Sequence, residues 1–256
     1  MLIVERQEKL LEILRSRKAA QLEDLSRELG VSASTVRRDL EVLEEQGLVE
    51  RLHGGAVYRG PVAETPIKAG QNAPLRERLA EHAEAKLAIG RYAASLVQPQ
   101  MTVLLDGGST VIFAARLITA RPIQIVTNSL SVANLFLEDD QVELVLVGGN
   151  VYPRTESTIG PIASGSLADL HADLLLFSLA GIFGDEAFNV NLAMAQVEQA
   201  MMRQAARSVL LMDASKFGRK SLARVCALGE VDQIVCDSGL DQSWRQQLGE
   251  RLVIAP

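Results

Sequence analysis

Apolar residues along the first fifty positions recur at helical spacing. Leu10, Ile13 and Leu14 form one stripe, Leu22, Leu25 and Leu29 a second, and Val36, Leu40 and Leu43 a third. The spacing predicts three short helices. Gly30 can take the left-handed conformation that closes the second, Ser32 can accept from the free N–H groups of the third, and Gly47 ends it. Leu48 to Leu52 then alternates apolar and polar, breaks at Gly54-Gly55 and resumes at Ala56 and Val57, which predicts a two-stranded hairpin. From Arg59 to Pro74 three Pro and two Gly interrupt the chain without an apolar period, a linker composition.

Beyond it the pattern changes. A helical stretch over Leu75 to Val97 precedes seven continuous apolar runs separated by helical segments. The runs are Thr102–Asp106, Gln124–Thr127, Val142–Val147, Leu174–Leu179, Val209–Asp213, Gln233–Asp237 and Leu252–Ile254. Strands apolar on both faces and separated by helices predict a parallel-rich α/β sheet covered on both sides. The expected organisation is a winged helix-turn-helix over residues 1–58, a linker over 59–74 and an α/β domain over 75–256.

Composition narrows the class. The 256 residues are 48% hydrophobic, with 26 Lys plus Arg against 32 Asp plus Glu and a net charge of −6. That excludes a generic basic coat for nucleic acid, though a small basic face can sit within an acidic total. No apolar run reaches the roughly 18 residues of a membrane span and the first residues lack a signal peptide's apolar stretch, so a cytoplasmic location with no membrane partner is expected. Cys226 and Cys236 are expected to be reduced and buried. His53, His82 and His171 lack metal spacing, so no metal, cofactor or catalytic nucleophile is expected. Met194, Met201 and Met202 read as core or subunit-interface filler.

Chemistry enters at the third helix. With Val36, Leu40 and Leu43 facing the core, Ser34, Thr35, Arg37, Arg38 and Glu41 turn outward to differing degrees. Arginine can grip guanine bidentately while Ser and Thr donate to phosphates or bases, so a recognition helix in the major groove of double-stranded operator DNA is expected. The expected DNA contacts are Ser32, Ser34, Thr35, Arg37 and Arg38, with Arg51, His53 and Gly54 from the wing. Asp39 is read as the partner of a nearby Arg, since a carboxylate facing phosphate would be repelled.

In the second domain T-V-L-L-D-G-G-S-T at Thr102 to Thr110 is the most specific run: a strand, an Asp at its carboxyl end, two Gly, then Ser-Thr opening a helix. Ligands of open α/β sheets bind beyond the carboxyl ends of strands, and free N–H groups there favour an anion. Asp106 can accept from sugar hydroxyls, Gly107 and Gly108 admit close approach, and Ser109 and Thr110 add donors. Further strand ends carry Asn128, Gly148 and Gly149, with Arg154 and Lys216 as cationic partners for a phosphate. These ten residues form the expected effector site.

The stretch from Arg6 to Ser32, T-V-R-R-D-L at Thr35 to Leu40, E-Q-G-L-V ending at Val49 and R-L-H-G-G-A at Arg51 to Ala56 resemble the DeoR family of bacterial transcriptional regulators over residues 3–58. The segments at Asp106, Thr127, Gly148 and Ser215 resemble that family's sensor domain, similar in fold to ribose-5-phosphate isomerase. The resemblance implies an operator-binding regulator, usually a repressor, here of a carbohydrate-metabolism operon, acting as a homo-oligomer (dimer or tetramer) and responding to a phosphorylated sugar or similar small anionic metabolite.

The chain departs from the family pattern at three places. Ala180 replaces an acidic residue, Glu198 stands near a usual Lys and Ala214 replaces a frequent His. A Glu in place of a Lys would weaken phosphate binding. Two alternatives follow: a regulator whose sensor binds nothing, and a sugar-phosphate isomerase with Asp106 as base and a DNA-binding appendage.

Overall fold

A computed structural model describes residues 6–7, 9–11, 13–14, 19–45, 48–52, 54–58 and 73–256. His53, Gly47 and linker residues 59–72 lie outside the described residues. The chain divides into two compact units, 1–66 and 67–256.

In the first unit the described residues among 6–14 are helical. Strand β1 (Ala19–Gln21), helix α1 (Leu22–Leu29), helix α2 (Ala33–Glu45) and strands β2 (Val49–Leu52) and β3 (Gly55–Tyr58) follow. All three apolar stripes meet in one core, with Leu10, Leu14, Leu25, Val36, Leu40 and Leu43 essentially inaccessible. Gly30 closes α1 at φ 65°, its N–H donating to Ser26 O. The turn is set from the other side too, since Ser26 Oγ donates to Val31 O at 2.6 Å. The wing gains a strand that the periodicity does not show. β1 pairs antiparallel with β3, giving the order β1-β3-β2. Gly55 is required there because a Cβ would overlap the Ala20 carbonyl.

The second unit is built on a seven-stranded sheet of β4 (Thr102–Leu105), β5 (Ile123–Thr127), β6 (Val142–Leu146), β9 (Leu174–Phe177), β12 (Ser208–Leu211), β14 (Gln233–Cys236) and β15 (Leu252–Ile254). Every pair in it is parallel, and the order is β15-β14-β12-β9-β4-β5-β6. Side chains alternate between two cores: Leu104, Leu175, Phe177, Leu210 and Ile234 face one, Val103, Leu105, Leu176, Leu211 and Val235 the other. That is why each strand reads as an unbroken apolar run.

Two smaller sheets pack beside it: a hairpin of β7 (Asn150–Tyr152) and β8 (Ser157–Ile159), and an antiparallel sheet of β10 (Gly181–Phe183), β11 (Glu186–Asn189) and β13 (Ala223–Ala227).

The helix expected over Leu75 to Val97 is two. Helix α3 (Leu75–Ala80) ends at a turn in which His82 is left-handed (φ 51°), and α4 (Ala83–Ser95) starts afresh. No Gly or Pro marks the break. It is held by Lys86, nearly fully buried, whose Nζ donates to the carbonyls of Arg78 and Glu81 and so satisfies the end of α3.

Candidate DNA-reading surface and candidate effector site

Helix α2 is amphipathic in the sense needed to read a groove. Its Val36, Leu40 and Leu43 are buried, while Ser34, Arg37 and Arg38 are exposed and Thr35 is half-buried. At its start Ser32 Oγ meets Ser34 Oγ at 2.8 Å and Thr35 Oγ1 at 2.9 Å and accepts from Thr35 N at 3.3 Å. The three hydroxyls thus form one exposed cluster that caps the helix and can turn toward phosphate. Asp39 lies on the opposite side, only 4% exposed, and accepts from Arg6 Nε at 2.6 Å and Nη2 at 3.1 Å.

Arg51, expected among the DNA contacts of the wing, has partners within the protein. Its Nε donates to Glu44 Oε2 and its Nη1 to Glu41 Oε1, both at 2.7 Å, while its backbone N–H donates to Glu44 Oε1 at 2.9 Å. Two carboxylates on α2 offset its charge, so Arg51 serves first to tie the wing to the helix. Gly54 sits exposed in the wing turn at φ 90°, and its carbonyl accepts from Leu22 N at 2.8 Å.

The second site lies where the sheet changes direction. From β4 the chain adds β5 and β6 on one side, then returns to place β9 on the other and continues to β15. The carboxyl ends of β4 and β9 therefore flank the topological switch point, the crevice in which such sheets bind ligands. Asp106 follows β4 and Ser178 follows β9. Asp106 Oδ2 accepts from Gly108 N at 3.1 Å and Ser178 N at 3.3 Å, which locks the two ends together. A Cβ on Gly107 would overlap Ser157 Oγ, and one on Gly108 would overlap Ser178 Oγ. Both glycines are required by close packing.

A cleft opens here, lined by Asp106, Gly107, Gly108, Ser109, Thr110 and Lys216 of the expected site. It is also lined by residues that the sequence did not single out for this role, among them Arg78, Thr155, Ser178 and Asn189. Met194 lines it as well, rather than serving only as filler. Four expected residues do not line it. Asn128 is buried at the end of β5, where Nδ2 donates to Thr158 O at 3.0 Å and its carbonyl accepts from Thr158 N at 2.8 Å, so it fastens the β7–β8 hairpin. Gly148 and Gly149 form the turn into that hairpin, Gly149 at φ 145° with space for a Cβ only 3.0 Å from Ala163 Cβ. Arg154 is exposed, and its carbonyl accepts from Leu75 N at 2.8 Å.

Buried groups of both signs meet at the cleft. Burial pushes the Asp106 carboxyl up, partly countered by the amides of Gly107, Ser178 and Gly108. Burial lowers the pKa of Lys216, with Asp213 opposing that shift, and lowers that of Arg78, with Asp106 opposing it. Behind them Lys86 is brought down to about 8 by burial. Glu198, 2% exposed, is hydrogen-bonded by Asn189 Nδ2, and burial followed by the nearby Asp106 charge pushes its carboxyl well above the usual carboxylate range. Burial thus disfavours the charged form of Glu198, which opposes the charge reversal expected from the sequence, and Glu198 itself does not line the cleft. Of the other two departures, Ala180 lines the cleft and Ala214 does not. Among the described residues no cluster of His, Cys, Asp and Glu could hold a metal, and no helix is long and apolar enough to cross a membrane.

Comparison with known proteins agrees with both halves. The model of the DeoR-like helix-turn-helix domain matches residues 6–61, and that of the DeoR C-terminal sensor domain matches residues 81–238. The transcriptional regulator GlpR of Haloferax volcanii is 32% identical, the alignment covering 97% of this chain and 95% of that protein. The L-fucose operon activator of Escherichia coli K12 is also 32% identical over 91% and 94%, and the transcriptional repressor CsqR of the same strain is 31% identical over 91% and 87%. Ribose 5-phosphate isomerase A of Methanocaldococcus jannaschii is a distant structural likeness, at TM-score 0.38 and 18% identity, covering 53% of this chain and 54% of that one. With a family model spanning more than half its length and full-length relatives above 30% identity, the chain belongs to the DeoR family of DNA-binding transcriptional regulators.

Proposed function

We propose that this regulator acts in the cytoplasm as a homo-oligomeric repressor of a carbohydrate operon, and that a phosphorylated sugar bound at the switch-point cleft sets its operator affinity. The observation that carries the reading is the convergence of the Asp106–Thr110 loop and Lys216 on one cleft. A carboxylate that accepts from hydroxyls, a hydroxyl pair on Ser109 and Thr110 and a cation suit a polyol bearing phosphate. A relative named a repressor fits the direction of control, and one named the L-fucose operon activator fits the link to a carbohydrate operon but has the opposite sign. The exposed Ser34, Arg37 and Arg38 on α2 serve as the operator contacts, aided by Ser32 and Thr35. Symmetry of paired half-sites calls for at least a dimer. No catalytic role is assigned to Asp106, because its Oδ2 is taken by two amide donors.

The effector works by linkage: it binds the two DNA-affinity states unequally and shifts their balance by that difference. The test is binding of the purified full chain to the DNA upstream of its own gene at fixed salt, with a panel of sugar phosphates and their unphosphorylated sugars. Saturable, sequence-dependent binding changed by one phosphorylated compound and not by its parent sugar is expected. Binding that no compound alters would remove the sensing half, and binding without sequence preference would remove the operator half.

A further inference from the structure

We propose that Arg78 is the residue that receives the effector's anionic group, so that occupancy of the cleft is read by the helix that follows the linker. The inference rests on the reading of the cleft as an anionic-effector site, and names the residue and the structural route by which that site reports.

Arg78 lines the cleft from α3, yet its Nε and Nη2 are both buried and have no hydrogen-bond partner. A guanidinium with two buried, unsatisfied donors is costly unless an acceptor is supplied, since burial removes water from each donor. Two parallel N–H groups of this kind match two oxygens of a phosphate or carboxylate. Thr155 Oγ1, on the same cleft, is likewise buried without a partner, so a third polar group awaits the same ligand. Lys216 supplies a second cation on the same cleft, facing a ligand together with the Asp106 carboxyl.

The position of Arg78 gives the site its consequence. Ala73, a residue of the linker, also lines the cleft, and α3 begins two residues later. The far end of α3 is held by Lys86, which donates to the Arg78 carbonyl itself. A ligand that engages the guanidinium therefore bears on a short helix that is separate from α4 and follows the linker in the chain.

The test uses the full chain with inorganic phosphate as probe, at constant ionic strength with chloride as the control anion, for wild type, Arg78→Gln and Arg78→Lys. Wild type should show a saturable rise in melting midpoint with phosphate. Arg78→Gln should melt no lower than wild type without phosphate, because it removes two buried donors that lack an acceptor, while binding phosphate at least about tenfold more weakly, the factor for one charge-assisted hydrogen bond. Arg78→Lys should recover part of the response. Any panel compound that alters operator binding of wild type should not do so for Arg78→Gln.

An Arg78→Gln variant that keeps the wild-type phosphate response overturns the proposal. So does one whose midpoint falls in the absence of phosphate while Arg78→Lys melts normally without any anion response, since Arg78 would then be structural. Wild type that answers neither phosphate nor any sugar phosphate overturns the sensing reading along with this one, whereas a wild type that answers with an unaffected variant overturns this one alone.

Discussion

Arg6 Nε lies 2.6 Å from Asp39 Oδ2, joining the first helical segment to the recognition helix through a carboxylate that is 4% exposed. The acid in the middle of T-V-R-R-D-L thus faces the protein and leaves the neighbouring arginines to face outward.

Removing one partner of such a pair leaves the other without its match. Asp39→Ala should lower the melting midpoint of the first unit and weaken operator binding as a secondary effect of a loosened helix. Asp24→Ala, which breaks the exposed pair with Arg27 (3.3 Å), is the control and should change little. Equal midpoints for the two variants would show that the Arg6–Asp39 pair contributes nothing special.

Arg37→Ala or Arg38→Ala should reduce operator affinity by about 1–3 kcal/mol if the lost contact is to a base, measured by fluorescence anisotropy at fixed salt. If the contact is to phosphate, the loss should be similar on all sequences and the salt dependence shallower. Arg51→Ala should cost less directly, since Glu41 and Glu44 already engage its guanidinium. An unchanged affinity for both helix variants would displace the reading surface from α2.

Glu198 makes a pH signature. Its folded pKa is raised above the ordinary 4.5, so the folded protein holds that proton more tightly than the unfolded chain does. The resulting stability is fully present below pH 4.5 and is lost as pH rises toward the folded pKa. Glu198→Gln keeps the neutral shape without the titration. Denaturant unfolding from acid to mildly alkaline pH should show wild type losing stability relative to the variant as pH rises, with the two closest near pH 4.5. Parallel curves would mean that Glu198 is ionised in the folded state.

How much of this was legible in the sequence depended on how locally each feature is specified. The seven strands of the large sheet were visible because both faces of each are buried, which turns a strand into an apolar run such as T-V-L-L or L-L-L-F. The β10, β11 and β13 strands were not, being short and mixed in character, as E-A-F-N shows. The three-residue strand Ala19–Gln21 exists only because the wing pairs with it. The break at His82 carries no Gly or Pro, and its cause, Lys86 Nζ, acts through the fold. In the cleft the Asp106–Thr110 loop was readable as one contiguous motif. Arg78 and Asn189 were not, because nothing near them in the chain distinguishes them from surface residues. Asn128 and Arg154 were misplaced for the converse reason: a strand end near the cleft can equally serve to fasten a hairpin.

The tight seat of Gly107 and Gly108 against Ser157 and Ser178 divides the cleft into a part that tolerates redesign and a part that does not. A side chain placed at either glycine must displace a hydroxyl on a neighbouring strand end before it could touch a ligand. An engineer wishing to retune this sensor to another metabolite would leave the two glycines alone and vary other lining positions, where Ala180, Val190 and Met194 offer side chains of graded size.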